Sequence, residues 1–214
     1  MNRKLNLFFV ESPLQMLVAA KARDTLEISN AVLFISIRKK GNGNHMQIID
    51  QLDDKWLEVN IRYTEKSVLR KITFVLMLLR MRVKYKNNTD RFFYGDYRTP
   101  SYAIYEAIVS PNESILLDDG AVTIAVQKNY IRFRKSIFET KRLAEGILFN
   151  RVLSRPRTPN LFSFFDLSKY MLPEQINYYP CKKSIRSIST SNCHFFIGSK
   201  LSEAGYMKIN DELN

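Results

Sequence analysis

Apolar and polar positions along the first 120 residues switch repeatedly between two periods. Residues 5–10 (Leu-Asn-Leu-Phe-Phe-Val) form a short run of aromatic and branched side chains. Ser12-Pro13 follows as an N-cap and first helical residue, and then a helix-forming stretch over 14–23. The same signature recurs at 31–37, ends in the turn-rich Lys39-Lys40-Gly41-Asn42-Gly43-Asn44, and gives way to a helix over about 45–53. Residues 57–63 alternate as a third strand, 67–82 form a long apolar and basic helix, and 90–94 a fourth strand. Thr99-Pro100 opens a helix to about 109, and 114–117 is a fifth strand that stops at Asp118-Asp119-Gly120.

Strand and helix alternate four to five times, with connections too long for hairpins. The pattern predicts an α/β, Rossmann-like parallel sheet with helices on both faces. Ligands of such sheets bind outside the carboxyl ends of the strands. Glu11-Ser12-Pro13 and Asp118-Asp119-Gly120 both fall at carboxyl ends.

Beyond Gly120 the pattern weakens. Residues 121–127 read equally as strand or helix, and 138–152 read as helix. Residues 154–179 hold Pro156, Pro159, Pro173 and many aromatics without a period, as a loop or linker would. A Ser/Thr-rich stretch over 184–191 precedes an apolar run at 193–197 that ends at Gly198-Ser199. The expected organisation is a Rossmann-like domain over 1–125, a basic helix and linker region over 126–190, and the start of a further domain over 191–214.

Composition is that of an ordinary globular protein, with 45% hydrophobic and 25% charged residues, which excludes a disordered tail or a disulfide scaffold. Cys181 and Cys193 lack the spacing of a zinc site, so a reducing compartment is the default. The apolar run at 5–10 is too short for a signal-peptide core and that at 72–79 too short for a membrane span. A cytoplasmic location is therefore expected.

Charge changes the picture more. The net value is +12, and residues 121–186 alone carry 13 basic and four acidic side chains, so anionic partners are expected. A second basic cluster, over 66–86, surrounds the apolar run at 72–79. It fits either a buried helix with solvated ends or a helix lying on an anionic membrane.

Paired carboxylates at a strand end suit general-base chemistry, because neighbouring charge and partial burial raise a carboxyl pKa toward the working range. Gly120 would let the chain turn sharply beside a substrate. Asp-Asp-Gly is equally a common solvated turn. His45 and His194 have no ligand-like spacing, so no metal site is expected. The phosphate loop, dinucleotide fingerprint and serine-hydrolase elbow are all absent. The Gly41-Asn44 turn could hold an anion through its amides but is more often simply a turn.

Three segments together resemble the N-terminal half of bacterial sialyltransferases of the polysialyltransferase-like group and of glycosyltransferase family 52. They are Leu7-Phe8-Phe9-Val10-Glu11-Ser12-Pro13-Leu14-Gln15, Phe93-Tyr94-Gly95-Asp96-Tyr97-Arg98 and Leu116-Leu117-Asp118-Asp119-Gly120-Ala121-Val122-Thr123-Ile124. The resemblance spans roughly residues 5–125. It implies a GT-B glycosyltransferase, inverting and metal-independent, that builds capsule or lipooligosaccharide sugars without a cofactor, with CMP-sialic acid as donor.

Carried onto this chain, Asp118 would be the base and Asp119 its neighbour, while Glu11, Ser12, Gln15, Asp96 and Gly120 would bind acceptor or shape the site. The expected partner is an anionic glycan or glycolipid acceptor, with peripheral contact to an inner membrane and no role for nucleic acid. The family also uses a His-Pro motif for the CMP phosphate, whereas the histidines here precede Met46 and Phe195. Phe195-Phe196-Ile197-Gly198-Ser199-Lys200-Leu201-Ser202-Glu203 resembles the first strand and turn of the donor domain, which normally continues for more than about 100 residues. A truncated enzyme with weak or no transfer activity alone is expected, and the alternative is a non-catalytic module that binds polyanionic glycan or membrane.

Overall fold

The computed structural model describes residues 4–37, 43–63, 70–131, 158–165 and 167–178. The five expected strands are present as β1 (Leu5–Val10), β2 (Ala31–Ile37), β3 (Glu58–Tyr63), β4 (Thr89–Tyr94) and β5 (Glu113–Leu117), joined by a sixth, β6 (Asn160–Phe162). All pairings are parallel, in the order β3-β2-β1-β4-β5-β6. This is the doubly wound order of a Rossmann-like α/β fold. Its topological switch point lies between β1 and β4.

Apolar residues on both faces of the central strands explain why helices must cover both sides. On one face Phe8 stacks on Phe93 with ring centroids 4.1 Å apart, and Val10, Leu33 and Ile35 extend the layer beneath α1 (Pro13–Thr25) and α2 (Gly43–Asp50). On the other, Phe9 stacks on Phe34 at 4.5 Å, and Leu7, Val32 and Phe92 lie beneath α3 (Arg70–Tyr85) and α4 (Pro100–Val109). Ser12 starts α1 from an extended backbone, its hydroxyl accepting from the Gln15 amide at 3.2 Å, with Pro13 in the first turn. That cap fixes the path of the chain as it leaves β1.

Residues 121–127, readable as either element, begin as a short helix, α5 (Ala121–Val126), and pass into a π-helical turn over Gln127–Ile131. β6 corrects the expected organisation. It lies within the stretch read as linker, yet Ile115 to Leu117 pair with Asn160 to Phe162, and Leu161 and Phe162 are fully buried in the two cores. The sheet unit therefore does not close at residue 125. Three residues are too few to show a strand period, and the partner that makes them a strand lies more than forty positions earlier. The long helix extends to Tyr85, beyond its expected end at 82. The expected helix at 138–152 and the strand at 193–197 lie outside the described residues. No helix among the described residues is long and apolar enough to cross a membrane.

Candidate active site

Because β1, β4 and β5 are neighbours in the sheet, the chain segments leaving their carboxyl ends lie side by side. These are Glu11 to Gln15, Gly95 to Arg98, and Asp118 to Thr123, so the three motifs separated in sequence meet at one edge of the sheet.

Gln15 ties them together. It is 4% exposed, its carbonyl oxygen accepts from the Glu11 amide at 2.8 Å, and its side chain donates to the Asp119 carboxylate. Gly95 makes room for it. A Cβ at position 95 would sit 2.1 Å from Gln15 Cδ, far inside contact distance. Asp96 shapes the next turn by accepting from the Arg98 amide at 2.8 Å and from Arg98 Nε at 3.1 Å, and the Asp96 contact raises the Arg98 pKa. Ser12 acts here as a helix cap, which makes its contribution one of position.

The two adjacent carboxylates differ sharply. Asp118 is 2% exposed and accepts four hydrogen bonds: Gly120 N at 2.9 Å and Thr123 Oγ1 at 3.0 Å reach Oδ1, while Ser163 Oγ and Phe164 N, both at 3.0 Å, reach Oδ2. Its oxygens thus bind the turn after β5 to the segment after β6. Asp119 is only partly buried and lies where the segments leaving β1, β4 and β5 come together, with Gln15 donating to it. Desolvation raises its pKa to about 6, with the Gln15 hydrogen bond opposing, Asp96 adding to the rise, Arg98 opposing and Asp118 adding. Gly120 has φ of 66°, a left-handed conformation that glycine adopts without strain, and it reverses the chain directly after the pair.

A cavity of about 470 Å³ opens beside Glu11, between α3, α4 and the β2–β3 side of the sheet, within the size range of small-ligand sites. Phe9, Phe34, Tyr102 and Tyr105 give it aromatic walls, and Asn60 and Arg62 of β3 give it polar ones. Arg62 Nη1 donates to the Tyr105 hydroxyl at 3.3 Å, and its guanidinium lies 5.4 Å from the Phe74 ring centre. Burial drives the Tyr102 hydroxyl pKa well above its usual value, with the Glu11 carboxylate adding to the effect.

Sequence reasoning brought Glu11, Gln15, Asp96, Asp119 and Gly120 to this place, and the structure holds them together there. It missed Gly95 as the residue that admits Gln15, Arg98 as a cation acting on Asp96 and Asp119, and Ser163 and Phe164 as partners of Asp118. Gly95 and Arg98 stand inside a quoted motif, so a signal was present for both. Ser163 had none, being more than forty residues distant and directly after an unrecognised strand.

Gly95→Ala should force Gln15 out of its seat. The expected result is a loss of about 1–3 kcal/mol in unfolding free energy from overpacking. Loss of the Gln15 donor should also raise the Asp119 pKa further, as read by NMR of the carboxyl carbon. Adding Gln15→Ala should restore much of the stability but not the pKa, since only the clash is relieved. A Gly95→Ala chain with wild-type stability and an unmoved Asp119 titration would contradict this packing.

Comparison with protein families, with curated proteins and with solved structures found no match to this chain. The class of protein therefore rests on its fold and site: an α/β Rossmann-like domain with a high-pKa carboxylate at the switch-point edge of its sheet.

Proposed function

We propose that this chain supplies the acceptor-binding half of an inverting, sialyltransferase-like glycosyltransferase of GT-B type, with Asp119 rather than Asp118 as general base. The observation that carries the assignment is the contrast within the pair. Asp118 has both oxygens committed to buried donors, whereas Asp119 is partly exposed and has a pKa of about 6. A carboxylate with that pKa is mostly ionised at neutral pH and holds a proton more strongly than an ordinary aspartate, both of which favour a general base.

In the proposed reaction the acceptor hydroxyl oxygen attacks the anomeric carbon of CMP-sialic acid from the face opposite CMP. Asp119 takes the hydroxyl proton as the new carbon–oxygen bond forms. The bond to the phosphate oxygen breaks, and CMP leaves with the electron pair, so the anomeric configuration inverts. Arg98 is placed to attract a carboxylate of the acceptor, and the aromatic cavity beside Glu11 offers stacking surface for its sugar rings. The net positive charge of the chain attracts anionic acceptors.

Titrating the full chain with a sialylated oligosaccharide while following assigned NMR resonances tests the acceptor role. Shifts centred on Gln15, Arg98, Asp119 and Gly120 are expected. The competing reading, a non-catalytic polyanion-binding module that uses the basic 121–186 region, requires contacts confined to that region and binding indifferent to the cleft. That outcome would remove the proposal.

A further inference from the structure

Helix α3 carries two apolar faces, and the fold uses only one. Leu78, Met81 and Tyr85 are buried against the sheet, whereas Leu76 is 52%, Leu79 47% and Val83 88% exposed. At 100° per residue these three outward side chains fall within an arc of about 60° on the side opposite the buried face. Arg80 flanks this stripe on one side and Arg82 on the other, both exposed. The sequence of the helix, Arg70–Tyr85, holds five basic residues and no acidic one. Lys84 is drawn toward the sheet edge by Glu58 at 2.5 Å, which leaves Arg80 and Arg82 as the cations bordering the stripe.

We propose that the outward face of α3 docks on an anionic lipid bilayer, with Leu76, Leu79 and Val83 entering the headgroup boundary and Arg80 and Arg82 meeting lipid phosphates. The charge pattern selects this occupant. A second copy of the chain would bring two wholly basic faces together. The 132–157 segment, with eight basic and two acidic residues, would be repelled in the same way. Nucleic acid would satisfy the arginines but gain little from the apolar centre. An anionic membrane rewards both, since buried apolar area and attraction to acidic lipid add in interfacial helices. Leu76 and Arg80 also border the cavity beside Glu11, whereas Leu79, Arg82 and Val83 do not line it, so the docking is read most cleanly from these three.

Val83→Trp in the full chain provides a local reporter, and the single native tryptophan, Trp56, serves as a reference because it is 7% exposed inside the α1–α2 layer. The chain is mixed with phosphatidylcholine vesicles with and without phosphatidylglycerol, and with lipids brominated along their acyl chains. Co-sedimentation only with the phosphatidylglycerol vesicles is expected, together with a blue shift and bromine quenching of the residue 83 emission while Trp56 is spared. Leu79→Asn with Val83→Asn, and separately Arg80→Gln with Arg82→Gln, should each weaken binding by about tenfold, and the arginine pair should also flatten its salt dependence. These positions are exposed, so an unchanged circular dichroism melt is expected for both pairs. Absence of binding to anionic vesicles would overturn the proposal. So would binding without quenching at position 83, which would place the contact in the basic region beyond α5, or full affinity in either double variant.

Discussion

Asp119→Asn is expected to make the protein more stable and less active at once. The folded-state pKa of Asp119 is about 6 against an ordinary 3.8, so between those values the native state binds more protons than the unfolded chain. Stability contributed through this group therefore falls as pH rises from about 4 to about 6, and above pH 6 the whole penalty of holding a partly buried charge is present. An uncharged amide of the same shape removes that penalty. At pH 7 the variant should gain about 1–3 kcal/mol in unfolding free energy, an advantage that should shrink to nothing as pH approaches 4.

With a CMP-sugar-binding domain supplied in trans, acceptor-dependent CMP release should meanwhile fall by about 10²–10⁴-fold, the usual contribution of a positioned general base. In the native protein the rate should drop tenfold per pH unit below about pH 6. Denaturant melts of the two proteins at several pH values, with CMP release measured alongside, check both halves. A variant no more stable than the native chain at pH 7 would show that the site holds no strained charge.

Asp118→Ala should fail in the opposite direction. Its carboxylate receives Gly120 N, Thr123 Oγ1, Ser163 Oγ and Phe164 N in a place shielded from water, and two of those donors are backbone amides that cannot turn away. Removing the acceptor leaves them unsatisfied where water does not reach, at a cost of about 3–5 kcal/mol. β6 should loosen first, because the residues that follow it, Ser163 and Phe164, lose their tie to Asp118 and leave it held by β5 and the 176–178 segment. Even Asp118→Asn cannot serve, since either amide orientation turns an NH₂ group toward one backbone N–H. Hydrogen exchange should accordingly show Leu161 and Phe162 losing protection in both variants while β1 keeps its own. Native-like protection of β6 in Asp118→Ala would refute the structural role given to this residue.

The contrast between these neighbours shows what a linear reading reaches and where it stops. Their position at a strand end was legible, because the apolar run at 114–117 stops there and glycine follows. Adjacent residues leaving a strand point to opposite sides, so one of the pair had to face inward. Which one depends on Ser163 and Phe164, and these reach Asp118 only because a three-residue strand pairs with β5. Nothing periodic marks that strand. The local sequence alone does not distinguish the inward-facing member of the pair from the other.

The convergence of the three motifs was half legible. Each ends a strand, which the hydrophobic pattern shows, but their adjacency requires β4 to pair with β1 rather than with β3, and that follows from the reversal of strand order in a doubly wound sheet. Gln15 could be placed on the first turn of α1, four residues from Glu11. Its reach to Asp119 depends on the missing side chain at Gly95, a contact between β1 and β4 that only the sheet creates. Helix α3 was legible as both apolar and basic, while its two apolar faces separate only once Leu78, Met81 and Tyr85 are seen packed inward.

The ionisation of Asp119 itself bears most directly on this assignment of the base. Following the carboxyl-carbon resonance of Asp119 in the full chain against pH, identified by its disappearance in Asp119→Asn, should give a midpoint near pH 6. A midpoint near the ordinary 3.8 would mean a solvated turn aspartate with no capacity to act as a tuned base, and the catalytic reading of this cleft would be wrong.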